Sequence, residues 1–134
     1  MVYLARTVAR NAERDPYNAP GMCLQVCRIW AGINARYLTA TKAWYAIPRS
    51  QRNYGRYPPR GAAVYWTGGS HGYGHIAISL GGGKVRSTDA GGRGRVATVS
   101  IPWIRSHWGL PYAGWSWYIN GTKIPHPYTS PNRN

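Results

Sequence analysis

Between Gly74 and Asp89 the chain runs as two short alternating stretches, Gly74-His75-Ile76-Ala77-Ile78-Ser79 and Lys84-Val85-Arg86-Ser87-Thr88-Asp89, separated by Gly81-Gly82-Gly83. Alternation has the period of a strand, and glycines adopt the backbone angles of a tight reversal, so the segment predicts a β-hairpin. A hairpin commits the fold to an antiparallel sheet. By strand parity His75, Ala77 and Ser79 share one face of their strand, and Val85, Ser87 and Asp89 share one face of the next. Closure around the glycines brings Asp89 or Ser87 near His75. Only Glu13, Asp15 and Asp89 are acidic, so Asp89 is the sole side-chain carboxylate after position 15.

Against these three acids stand 17 Lys and Arg, a formal charge of +14. Such a field favours anionic partners: nucleic acid first, then acidic membrane surfaces or a cell wall carrying phosphates and carboxylates. No run of eighteen apolar residues is present, which argues against a membrane span. Met1-Val2-Tyr3-Leu4-Ala5-Arg6 lacks the apolar stretch of a secretory signal, so the expectation is synthesis in a cytoplasm. The length of 134 residues suits one domain, 1–124, with a loosely ordered Pro/Asn/Ser-rich tail, 125–134. Seven Trp and eleven Tyr with no Phe suit half-exposed surfaces that meet a ligand, as well as core positions with a satisfied donor.

Taken in order, residues 2–14 carry Leu4, Val8 and Ala12 at helical spacing. Asp15 to Gly21 contains two prolines and a glycine and reads as a loop. Met22 to about Tyr37 predicts a second helix with a stripe of Met22, Val26, Ile29 and Ile33, mostly buried. Thr39 to Ile47 predicts a short helix, and residues 48–60 a basic surface loop. From Gly61 onward strands take over: 62–66, the hairpin, 95–100 and 112–117, with a helical turn after Pro102. Helices first and antiparallel strands afterwards give an α+β domain.

The chemistry-bearing residues admit three readings. Cys23 falls in the first turn of the second helix, where free N–H groups and the helix dipole lower a thiol pKa. With His75 as base and Asp89 or Ser87 as the orienting group, it supplies a cysteine nucleophile site. Cys27, one turn further, lacks this help. The second reading takes Cys23, Cys27, His71 and His75 as zinc ligands of a nucleic-acid-binding protein, although residues 28–70 separate the two pairs. In the third, Cys23 is a small core hydrophobe and His75 a turn residue.

Gly21-Met22-Cys23 opening a helix, Pro59-Arg60-Gly61-Ala62-Ala63-Val64-Tyr65-Trp66 as a strand, and Gly74-His75-Ile76-Ala77-Ile78 together resemble a CHAP domain. These cysteine, histidine-dependent amidohydrolases/peptidases are NlpC-like and papain-related. The resemblance covers roughly residues 15–90. The closing Trp108-Gly109-Leu110-Pro111-Tyr112, with Gly114-Trp115 and Asn120-Gly121, is similar to the ends of small lysins from phages of actinobacteria. Ala62 stands where the family often has Asp, and Met22 where many relatives have Gln.

The resemblance implies a papain-like core and a peptidoglycan hydrolase that cleaves an amide bond, as endopeptidase or N-acetylmuramoyl-L-alanine amidase. Cys23 is then the nucleophile, His75 the base and Asp89 the third residue, with Ser87 the alternative. The Cys23 N–H stabilises the oxyanion, with Tyr17 or Asn18 as a second donor. No cofactor and no metal are called for. The expected partners are peptidoglycan and anionic wall polymers, with no specific nucleic acid, and the expected state is a monomer. The enzyme is made in a host cytoplasm and acts at the wall or travels in a virion; a non-catalytic virion protein of the same fold is the remaining alternative.

Overall fold

Gly82 and Gly83, at φ 62° and 76°, close a two-residue turn between β2 (His75–Gly81) and β3 (Lys84–Ser87) in the computed structural model, which describes residues 1–126. Two consecutive positive φ angles are what a type I′ hairpin turn requires. The hairpin pairs Ile78 with Arg86 and Ser79 with Val85. Around it lie β1 (Ala63–Trp66), β4 (Ala97–Ser100) and β5 (Tyr112–Ser116), in the order β4-β3-β2-β1-β5 with every pairing antiparallel.

Three helices, α1 (Ala5–Arg14), α2 (Cys23–Ala31) and α3 (Ala40–Tyr45), cover one face of this sheet; α4 (Ile101–Trp108) covers the other. Strand alternation sorts the core accordingly. Ala63, Tyr65, Ile76 and Ile78 pack with the first three helices, whereas Val64, Trp66, Ala77 and Val85 pack with Ile101 and Ile104 of α4. Coverage on both faces explains why Ala62 to Trp66 is apolar at every position. The fold is α+β, as the sequence predicts. A small second sheet, β6 (Tyr118–Ile119) with β7 (Thr122–Lys123), was not anticipated.

Helix α2 departs from expectation in length and in orientation. It stops at Ala31 because Gly32 takes φ 70°, and the N–H groups of Gly32 and Ile33 return to the carbonyls of Ile29 and Arg28. This is a Schellman ending, which satisfies carbonyls that a longer helix would have used. Its buried residues are Leu24, Cys27, Trp30 and Ala31, while Met22 and Ile29 of the expected stripe are 42% and 56% exposed. So wide an apolar surface permits either rotation. The observed one buries the large Trp30 ring and lets its Nε1–H donate to Asp15 Oδ2 at 2.9 Å.

A Cβ at Gly32 would also strike the Met1 carbonyl. Gly32→Ala is therefore expected to lower stability by about 2 kcal/mol, combining left-handed strain with this clash. Denaturant unfolding measures it, and an unchanged midpoint would show that the N-terminus moves aside freely.

At the other end Pro125 accepts the Ala5 N–H at 2.9 Å and the His126 ring stacks on Trp117 at 4.2 Å. Of the expected tail, 125–134, only these two residues are described, and 127–134 lie outside the described residues. Among the described residues no helix is long and apolar enough to cross a membrane.

Candidate active site

Cys23 is the first residue of α2, and the residues just before it are tied down by the Asp89 side chain. Asp89 Oδ2 accepts the Gly21 N–H at 3.0 Å, and Oδ1 accepts from Asn18 Nδ2 at 3.0 Å and from the Gly94 N–H at 2.7 Å. The Asp89 N–H in turn donates to Asn18 Oδ1 at 3.1 Å. Asp89 reaches this arrangement at φ 60°, a left-handed angle that aspartate tolerates better than most residues. Its carboxylate therefore ties the segment ahead of Cys23 to the loop that follows β3.

His75 opens β2 with its side chain almost fully buried. Its Nε2 lies 2.8 Å from Ser87 Oγ, and that hydroxyl lies 3.0 Å from the Thr88 carbonyl. A hydroxyl has a single proton, and a carbonyl can only accept. Ser87 thus donates to Thr88 and accepts from His75 Nε2–H, which leaves Nδ1 as the ring nitrogen with a free lone pair. Trp66 and Trp108 flank the imidazole, with ring centroids at 5.7 and 5.0 Å.

The choice of Ser87 follows from where β3 ends. Extending the Ile78–Arg86 pairing outward would set His75 directly opposite Asp89 and Ala77 opposite Ser87. The strand stops at Ser87, however, and the chain turns away through Thr88 and Asp89. The diagonal neighbour on the same face then makes the contact. Asp89 influences the ring only through its charge.

Burial governs the electrostatics. It lowers the His75 pKa from its usual value to about 4, with the negative charge of Asp89 opposing only in part. Burial likewise pushes the Cys23 thiol above its usual range, although the N–H groups of Ile76, Leu24 and Cys23 itself favour the thiolate. The expected lowering of this pKa at the helix start is therefore reversed, because desolvation outweighs the terminal N–H groups. For Asp89 burial acts upward too, but hydrogen bonds from Gly21, Asn18 and Gly94 outweigh it and hold the carboxyl below its usual range. The resting pair is a neutral thiol with a neutral imidazole.

Cys23 and His75 both line a groove of about 1450 Å³, with Met22, Thr41, Tyr73 and Trp108 among its walls. Tyr17 and Asn18, the expected oxyanion donors, do not line it. Tyr17 bridges to Arg95 with that guanidinium 5.9 Å from its ring, and the Asn18 amide is engaged by Asp89 and the Ala19 carbonyl. The backbone N–H of Cys23 remains as the donor at the helix start.

The four residues of the zinc reading do not converge. Cys27 is fully buried with its thiol 3.6 Å from the Ile76 carbonyl, and His71 is exposed and stacked on Tyr73 at 5.3 Å. Among the described residues no group of three or more His, Cys, Asp or Glu is placed to hold a metal.

Sequence reasoning missed the aromatic walls of the imidazole. The signal was available, since an antiparallel pairing of β1 with β2 puts Trp66 directly across from His75. It also missed Arg28, Lys42 and Arg93, three cations on the groove. Comparisons with models of known protein families, with curated proteins and with solved structures find no match to this chain.

Proposed function

We propose that this chain is a cysteine amidase or peptidase acting on bacterial peptidoglycan, a phage-type lysin built on a papain-like, NlpC-like core. The observation that carries the reading is the shared groove: a cysteine at a helix start and a histidine held by Ser87 line the same cleft. The +14 charge supports a wall as partner, because anionic wall polymers retain a strongly basic protein without a separate binding domain.

In this reading a substrate carbonyl enters beside Cys23. His75 Nδ1 takes the thiol proton as sulfur attacks, and the developing oxyanion meets the Cys23 N–H at the start of α2. Collapse breaks the C–N bond, with the imidazolium protonating the leaving amine. Water, deprotonated by the same nitrogen, then hydrolyses the thioester. Ser87 keeps Nε2 protonated throughout.

The test is digestion of purified peptidoglycan, with mass spectrometry of the products and rates followed across pH. Fragments with new amine and carboxyl ends are expected, and unchanged muropeptides would sink the proposal. Because the base is neutral above its own pKa, kcat/KM should rise through about pH 4 as the pH increases, rather than near the usual histidine value. Stability has the same sign. Below the unfolded histidine pKa the unfolded chain takes up a proton that folded His75 refuses, so stability falls as pH drops from about 6.5 toward 4.

A further inference from the structure

The segment from Tyr45 to Arg60 lines no part of the groove, yet it gathers cations and rings. Four of its sixteen residues are Arg, about twice the share of Lys and Arg in the whole chain, three are Tyr and none is acidic. The tyrosines face outward: Tyr45 is 62% exposed, Tyr54 66% and Tyr57 70%. A single exposed ring is ordinary, but three in so short a stretch, with arginines between them, form a patch. Among the described residues the one salt bridge is Arg60 with Glu13, which leaves exposed Arg49 and Arg56 without an acid.

The patch is built on a pinned backbone. Asn53 and Trp115 exchange two backbone hydrogen bonds, at 2.9 and 2.8 Å, the Tyr112 hydroxyl donates to the Gly55 carbonyl at 2.6 Å, and Ser79 Oγ donates to the Pro58 carbonyl at 2.8 Å. Arg52 works inward, donating to the Ile47 and Tyr45 carbonyls while its guanidinium lies 5.6 Å from the Trp44 and Tyr45 rings. Tyr54 meets Trp44 edge-on at 6.1 Å, and the Tyr57 ring covers the hairpin turn at Gly83. Rings held this way lose little freedom when a ligand covers them. Tyr54 and Tyr57 are three residues apart, so the chain between them spans at most about 10 Å, the reach of a few nucleotides.

We propose that this surface binds single-stranded nucleic acid without sequence preference, bases stacking on Tyr54 and Tyr57 and phosphates meeting Arg49 and Arg56. Exposed rings beside unpaired guanidiniums match a polymer that carries flat π faces and one negative charge per unit. A polyanion without bases would leave three rings wet. A duplex keeps its bases stacked on one another and offers the tyrosines no free face. Sugar hydroxyls call for carboxylate or amide partners, and here no acid is present and the Asn53 amide is spent on the Gln51 and Trp115 carbonyls. The proposal is independent of the chemistry at Cys23 and His75.

The experiment compares, by fluorescence anisotropy, a labelled thymidylate strand of about 15 nucleotides with an abasic strand of the same length and charge. Thymidylate should bind about tenfold more tightly, and Tyr54→Ala and Tyr57→Ala should each remove most of that preference. Tyr54→Phe and Tyr57→Phe should keep it, since the ring and not the hydroxyl stacks. All four positions changed are at the surface, and thermal unfolding confirms that each variant is folded. Arg56→Gln should reduce the slope of log affinity against log salt by about 0.7, whereas Arg93→Gln, on the groove, should leave it unchanged. Equal affinity for the two strands, or equal loss in Arg56→Gln and Arg93→Gln, would reduce the effect to net charge and overturn the proposal. Retention on purified peptidoglycan that the alanine variants abolish, with no preference for thymidylate, would assign the patch to glycan and overturn it too.

Discussion

Cys23→Ala should reduce lysis of susceptible walls to background, a fall of at least about 10³ in rate, because the proposed acyl intermediate forms on the thiol that lines the groove beside His75. Cys23 is a half-buried residue at a helix start, and alanine suits that position, so folding stability should change by less than about 1 kcal/mol. Cys27→Ala provides the contrast. That sulfur is completely buried in the core, so its removal leaves a small void and lowers stability by about 1 to 2 kcal/mol, while most activity persists. Turbidity loss on cell walls, paired with thermal unfolding of both variants, reads the two effects separately. Lysis by Cys23→Ala at the wild-type rate would end the nucleophile assignment.

The second large effect concerns which residue holds the imidazole. Ser87→Ala removes the acceptor of the His75 Nε2–H and leaves that donor buried without a partner. Stability should fall by about 1 to 3 kcal/mol. Activity should fall about a hundredfold, because the ring is no longer fixed with Nδ1 free. Asp89→Asn acts differently: it weakens the clasp on Gly21 and Gly94, so thermal stability and kcat should decline together. The pH profile separates a positioning role from a structural one. Ser87→Asp places a carboxylate beside the imidazole and should move the acid limb of kcat/KM upward from about 4, which loosening of a loop cannot do. Full activity in Ser87→Ala, with loss in a stable Asp89→Asn, would return the orienting role to the aspartate.

Local rules made much of the scaffold legible. Three glycines between alternating stretches specify the hairpin, the all-apolar run from Ala62 to Trp66 specifies a buried strand, and Pro102 marks the first turn of α4. The loop and helix start around Gly21-Met22-Cys23 were readable for the same reason: backbone preferences act within a few residues. Helix α2 was less so, because its apolar residues span too wide an arc for periodicity to select a buried face. Gly32 was the available stop signal.

The sequence alone determined the cast of the candidate site, a thiol at a helix start and a histidine at a strand start, and the antiparallel pairing that brings Ser87 and Asp89 toward the histidine. Only the tertiary structure shows which of the two touches the imidazole, Ser87. Parity places both on one face, but it does not say where β3 ends, and that ending depends on Asp89 leaving the ladder to bind Asn18, Gly21 and Gly94, segments distant in sequence. Charge was decided the same way. A helix start favours a thiolate on its own, whereas the packing around half-buried Cys23 and buried His75 desolvates both enough that they rest neutral. Desolvation is a property of everything packed around a group, so no local stretch of sequence contains it.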